Sequence, residues 1–171
     1  IGNSTPRYSY GVTLTASYFG FDIYLFFQGI GRRDWYPTNE TEMFWGPYSR
    51  PYASFIPSNF EDKVWSEDNK NAYFPRLQGY LVSYELGRAN NMYLQNAAYC
   101  KLRNATIGYT IDPKLTKRIG ISNIRVFASG ENIFTWSALK TKYIDPEETY
   151  SGDARTYPMS RTWSVGATIS F

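Results

Sequence analysis

One stretch carries residue types suited to holding a small polar ligand. GRRDWYP (31–37) sets the guanidinium groups of Arg32 and Arg33 and the carboxylate of Asp34 beside Trp35 and Tyr36, a mixture that hydrogen-bonds to and stacks on a sugar or peptide. Trp45 and Trp65 add ring faces of the same kind. The bland use of Arg32, Arg33 and Asp34 is an ion-pair network at a rim, and it is the commoner one. Catalysis finds little support. The chain has no histidine and a single cysteine, Cys100, so the usual general base and any internal disulfide are missing. The neighbouring pairs Glu61/Asp62 and Glu67/Asp68 cannot stand on opposite sides of a glycosidic bond, as two-carboxylate chemistry requires. DPEETYSGD (145–153) gathers carboxylates without the spacing of a calcium loop, and reads as a solvated segment. Binding without catalysis, metal or cofactor is the expectation.

Something must position these residues, and composition limits what it is. The 171 residues are 19% aromatic, with 16 Tyr, 11 Phe and 5 Trp, yet mean hydropathy is −0.45. No run approaches the roughly 18 apolar residues of a membrane-spanning helix. The 18 basic and 15 acidic residues are dispersed, which gives nucleic acid no basic tract to bind. The opening IGNSTPRYSY has neither the basic nor the apolar region of a signal peptide.

Alternation supplies the framework. In YSYGVTLTASY, Tyr8, Tyr10, Val12, Leu14, Ala16 and Tyr18 fall on one face, and Ser9, Gly11, Thr13, Thr15 and Ser17 on the other. FDIYLFFQ continues after a tight turn at Phe19-Gly20, which makes a hairpin. Further strands follow in CKLRNATIGYTI, where Leu102 falls out of phase and marks a bulge, in NIRVFASGENIF, and in RTWSVGATISF. Strands are thus expected near 8–18, 21–28, 100–111, 123–134 and 162–171, with long connections over 29–99 and 137–160.

Short turns at one end and long segments at the other match an outer-membrane β-barrel with its long loops outside. Aromatics gather at both expected rims: Tyr8, Tyr10, Phe27, Tyr99, Phe134, Trp136 and Trp163 at one, and Tyr18, Phe19, Phe21, Tyr109 and Phe171 at the other. Ser9, Thr13, Ser17, Asp22, Tyr24, Gln28, Arg125 and Glu131 then face the lumen. A soluble β-sandwich that presents aromatics to carbohydrate alternates with the same period, and the pattern alone leaves both open.

AAYCKLRNATIGYTI, KRIGISNIRVFASGENIFTW and YPMSRTWSVGATISF, in that order, resemble the C-terminal end of SusC/RagA-type TonB-dependent outer-membrane transporters. GNSTPRYSYGVTLTASYFGFDIYLFFQGIGRRDW and NAYFPRL resemble the same family, and the likeness is weakest over 38–66. The resemblance implies an all-β, antiparallel transmembrane barrel of 22 strands, of which this chain supplies about the last five. It further implies a plug and TonB-contacting segments on chain outside this sequence, and import of an oligosaccharide or peptide across the bacterial outer membrane. A SusD-like surface lipoprotein, TonB, the barrel-assembly machinery and outer-membrane lipid are the implied partners. Phe171 belongs to the assembly signal of that family. Five strands cannot close, so the sequence reads as a piece of a longer barrel.

Overall fold

The computed structural model describes residues 1–52, 54, 56–116, 120–150, 157 and 159–171. They form two compact units: Pro6–Arg32, Ala98–Ser137 and Met159–Phe171 in one, and Ile1–Thr5, Arg33–Ala97 and Ala138–Pro158 in the other.

The first unit is a five-stranded antiparallel sheet of β1 (Ser9–Tyr18), β2 (Phe21–Ile30), β5 (Tyr99–Thr110), β6 (Asn123–Ser137) and β7 (Thr162–Ser170), in that order. It is an open sheet with β1 and β7 as its edge strands, and no helix among the described residues is long and apolar enough to cross a membrane. β1 and β2 are joined by Phe19 and Gly20, both with positive φ (46° and 82°), the conformation a two-residue hairpin turn requires. Phe19 adopts it without glycine's freedom, and its ring packs edge-on against Tyr18 at 4.6 Å.

Two register shifts interrupt the ladder, one on each side of β5. Phe26 of β2 pairs with Asn104 and Phe27 with Leu102, which leaves Arg103 as an extra residue of β5. Leu102 pairs with Phe134 and Asn104 with Glu131, so Arg103 stands opposite Asn132 and Ile133. Asn132 takes φ 52°, which its short polar side chain tolerates better than most, and its Oδ1 accepts a 3.0 Å hydrogen bond from Arg103 Nη1. The extra residue of β5 against β2 is why Leu102 breaks the alternation: Leu102 and Ala105 pair with Phe27 and Leu25 and so share a face.

The second unit has a core of its own. Short pieces, β3 (Asp34–Trp35) paired with β4 (Gln95–Asn96) and the single turn α1 (Glu42–Trp45), frame a cluster that includes Trp35, Phe44, Trp45, Tyr48, Phe60, Phe74 and Tyr93. Most of its ring pairs meet edge-to-face or tilted, among them Phe44 on Trp45 at 4.8 Å and Trp45 on Tyr93 at 5.2 Å, the arrangement aromatic quadrupoles favour. Several polar atoms carried inside find partners, while the buried Arg33 Nη1 and Gln95 Nε2 make no hydrogen bond among the described residues. Trp45 Nε1 donates to the Thr38 carbonyl at 3.0 Å, and the Tyr36 hydroxyl donates to the Leu86 carbonyl at 2.6 Å while accepting from Asn90 Nδ2 at 3.0 Å. The stretch between β2 and β5 is therefore a packed body with little regular secondary structure.

Candidate functional site

Residues paired across an antiparallel ladder point to the same side of the sheet, so the register sorts every strand residue onto one of two faces. One face carries Val12, Leu14, Leu25, Ile23, Ile107, Val126, Val165 and Ile169, and much of it lies open: Leu14 is 52% exposed and Val165 87%. Aromatics stand toward its two ends. Phe21 meets its cross-strand partner Tyr109 at 4.6 Å at one, and Phe134 meets Trp136 at 4.5 Å at the other. The ring of Trp163 on β7 lies over Gly130 of β6, where a Cβ would come within 2.8 Å of it.

The opposite face collects all eight residues assigned to it from the alternation. Ser9, Thr13 and Ser17 lie opposite Ile30, Phe26 and Asp22. Tyr24 and Gln28 pair with Thr106 and Lys101, and Arg125 and Glu131 with Thr110 and Asn104. The face is not uniformly polar: Phe26 and Phe127 share it, and the Phe127 ring covers Gly166. Its strongest interaction spans three strands. Arg125 on β6 donates Nε and Nη2 to the two carboxylate oxygens of Asp22 on β2, at 2.9 and 2.5 Å, passing over Gly108 of β5. A Cβ at Gly108 would sit 2.5 Å from Nη2 and 2.6 Å from Oδ1, so glycine keeps the path open. Nearby, Arg103 joins Gln28 to Asn132 through 3.0 Å hydrogen bonds from Nε and Nη1. Neither the Gly108 gap nor the Arg103 link was singled out from the sequence; the phase slip at Leu102 was the available signal for the second.

The GRRDWYP residues scatter in exposure. Arg32 is exposed, Asp34 half-buried, and Arg33 buried. Arg33 donates through Nη2 to the Pro146 carbonyl at 2.8 Å and to the Thr149 hydroxyl, with its guanidinium 4.0 Å from the Tyr150 ring centroid. Asp34 accepts from the Asn3 backbone N–H at 3.0 Å. Trp35 and Trp45 are core residues of their unit, 7% and 0% exposed, so a ligand on its surface would not meet their rings. Trp65 is half-buried, its backbone N–H bonded to the Phe74 carbonyl at 3.0 Å. Of the 145–153 segment, residues 151–153 lie outside the described residues; among the described residues no cluster of His, Cys, Asp or Glu could hold a metal ion.

Burial acts on the phenols of this unit. Tyr36 and Tyr73 are each pushed up to about 12, first by desolvation and then by the neighbouring Tyr93, with the Asn90 hydrogen bond opposing the rise at Tyr36. Tyr48 and Tyr93 are raised for the same first reason. The same unit contains a cavity of about 500 Å³, lined in part by Lys63, Lys140 and Lys142, which the sequence reading did not single out.

No family model matches the chain. The TonB-dependent receptor P3 of Formosa agariphila is 27% identical over the whole chain, which spans 17% of that protein. Among solved structures, the RagAB peptide transporter matches 98% of the chain at 22% identity with a TM-score of 0.65. The RagAB peptide importer in its closed-closed state matches 98% at 24% identity and a TM-score of 0.67, and the chain covers 18% of it. These likenesses establish the fold, that of the barrel portion of RagA-like transporters. Over its whole length the chain is thus similar in sequence to part of a TonB-dependent receptor, and its fold is that of a barrel segment of RagA-like transporters.

Proposed function

We propose that this chain is part of the wall of an outer-membrane β-barrel that imports a nutrient oligosaccharide or peptide with energy delivered through TonB. The observation that carries the reading is the two-faced sheet: one face apolar and exposed with aromatics toward its ends, the other bearing Asp22, Gln28, Arg103, Arg125 and Glu131. Lipid suits the first and a watered lumen the second. The edge strands β1 and β7 pair with further strands of a barrel of 22, since hydrocarbon does not tolerate unpaired strand edges. The segments 29–99 and 137–160 are the outer loops, on which a SusD-like lipoprotein docks. Exposed loop residues such as Arg32 meet the substrate or that partner. Phe171 is read by the barrel-assembly machinery. The plug and TonB-contacting residues lie on other parts of the receptor.

A β-sandwich reading would need a second sheet over the apolar face. Among the described residues the other sheet is β3 with β4, two residues each, in the other unit.

Uptake tests the proposal. Cells carrying the complete receptor should accumulate a fluorescent peptide or oligosaccharide, and accumulation should collapse when TonB is removed or a protonophore is added. Uptake that ignores both treatments would overturn it.

A further inference from the structure

Four separated stretches of the chain build the cavity of about 500 Å³, a volume within the range that holds small ligands. Its apolar side is Phe44, Phe60 and Phe74, with Phe74 5.5 Å from Phe44 and stacked on Phe60 at 5.6 Å. Its polar side is basic. Lys63 is fixed beside Phe74 by backbone bonds, Phe74 N–H to the Lys63 carbonyl at 2.8 Å and Trp65 N–H to the Phe74 carbonyl at 3.0 Å. The Lys140 N–H donates to Oε1 of buried Gln95 at 3.0 Å, and its ammonium lies 4.9 Å from the Tyr73 ring centroid. Lys142 follows two residues on.

Among the described residues no Asp or Glu lines this cavity. Glu42, next in sequence to the lining residue Met43, is turned to Arg50 at 3.6 Å, and the exposed Glu61 and Asp62 that precede Lys63 are not in the lining. Three lysines line one cavity, and an anion bound there is attracted by all three. An apolar surface beside them displaces water and strengthens the attraction.

We propose that this cavity binds a peptide segment in which a carboxylate adjoins an apolar side chain, the carboxylate held by Lys63, Lys140 and Lys142 and the side chain seated on the phenyl rings. A sugar fits less well. A neutral sugar carries no charge for the three lysines, whereas a carboxylate does. That this peptide is cargo rests on the importer reading; that it binds does not.

The test uses the complete receptor purified in detergent and measures binding by calorimetry. Acetyl-Leu-Asp-Leu-amide should bind at least about tenfold more tightly than acetyl-Leu-Asn-Leu-amide, a difference of roughly 1.4 kcal/mol. The preference should shrink with added salt. Lys63→Gln with Lys140→Gln and Lys142→Gln should abolish it, while arginine at the same three positions should keep it and show that the unit remains folded. Equal binding of the two peptides, an undiminished preference in the glutamine variant, or tighter binding of a uronate oligosaccharide than of the acidic peptide would overturn the proposal. Acid-selective binding in a receptor that shows no TonB-dependent uptake would leave this site standing and remove the importer reading instead.

Discussion

Asp22 and Arg125, 103 residues apart in sequence and one strand apart in the sheet, form a two-point ion pair across the bare backbone of Gly108. The pair bridges β2 and β6 over β5, which contributes only the open space at Gly108. Arg125 also stands 5.1 Å from the Phe127 ring centroid, whose ring in turn lies over Gly166 of β7, so the contact chain reaches a fourth strand.

Gly108→Ala should part that pair, because the new methyl would occupy the gap between Nη2 and Oδ1. Once they are apart, Asp22→Asn should cost nothing further. A double-mutant cycle on thermal unfolding of the whole receptor measures this. The combined variant should be no less stable than Gly108→Ala alone, and additive losses would show that the pair survives the methyl.

Leu14→Arg and Val165→Arg place a cation on the apolar face, where a site near the bilayer midplane costs about 2–4 kcal/mol. Thr13→Arg, on the opposite face, should cost much less. Equilibrium folding of the receptor into lipid vesicles gives the comparison, and equal costs at Leu14 and Thr13 would contradict the assignment of faces.

Alkaline pH should loosen the loop unit in a defined window. A buried phenol is favoured in its neutral form, so the folded state holds its proton to higher pH than the unfolded chain, whose tyrosines ionise near 10. The contribution is therefore complete below about pH 10 and is lost as pH climbs toward the value of about 12 at Tyr36 and Tyr73. Tyr73→Phe removes one such proton, and its melting temperature should fall less steeply than wild type between pH 9 and 11.5. Parallel slopes would show that Tyr73 is not protected from ionisation.

Phe171 is 90% exposed at the end of β7. Even full burial of an aromatic side chain is worth only about 1.5–3 kcal/mol, which a complete barrel tolerates. Phe171→Ser should thus cut the amount of receptor at the cell surface far more than it lowers the melting temperature of the purified barrel. Normal surface abundance with a large loss of melting temperature would mean that Phe171 is a packing residue.

The faces of β1 were legible because period two is local: Tyr8 to Tyr18 carries it without a break. The bulge was half legible, since Leu102 betrays the slip while the Arg103–Asn132 bond that stabilises it depends on another strand. The Asp22–Arg125 pair was beyond reach, because which residues meet depends on the register of both flanking ladders and on the glycine between them. Hardest was the loop unit. Its aromatics follow no period, and whether Trp45 joins a core or a surface is decided by rings as distant as Phe74 and Tyr93. The lysines of its cavity are brought together from two segments on either side of β5 and β6, and nothing near Lys63 announces Lys140.

The apolar face is expected to meet lipid and the other face water. In the complete receptor with Cys100 replaced by serine, Leu14→Cys and Thr13→Cys place thiols on adjacent residues of β1 and on opposite faces. After reconstitution in vesicles, a water-soluble maleimide should label Thr13→Cys and leave Leu14→Cys unmodified, while a fluorophore attached at Leu14→Cys in detergent should be quenched by nitroxide-bearing lipid. Strong aqueous labelling at Leu14→Cys, with none at Thr13→Cys, would contradict the account.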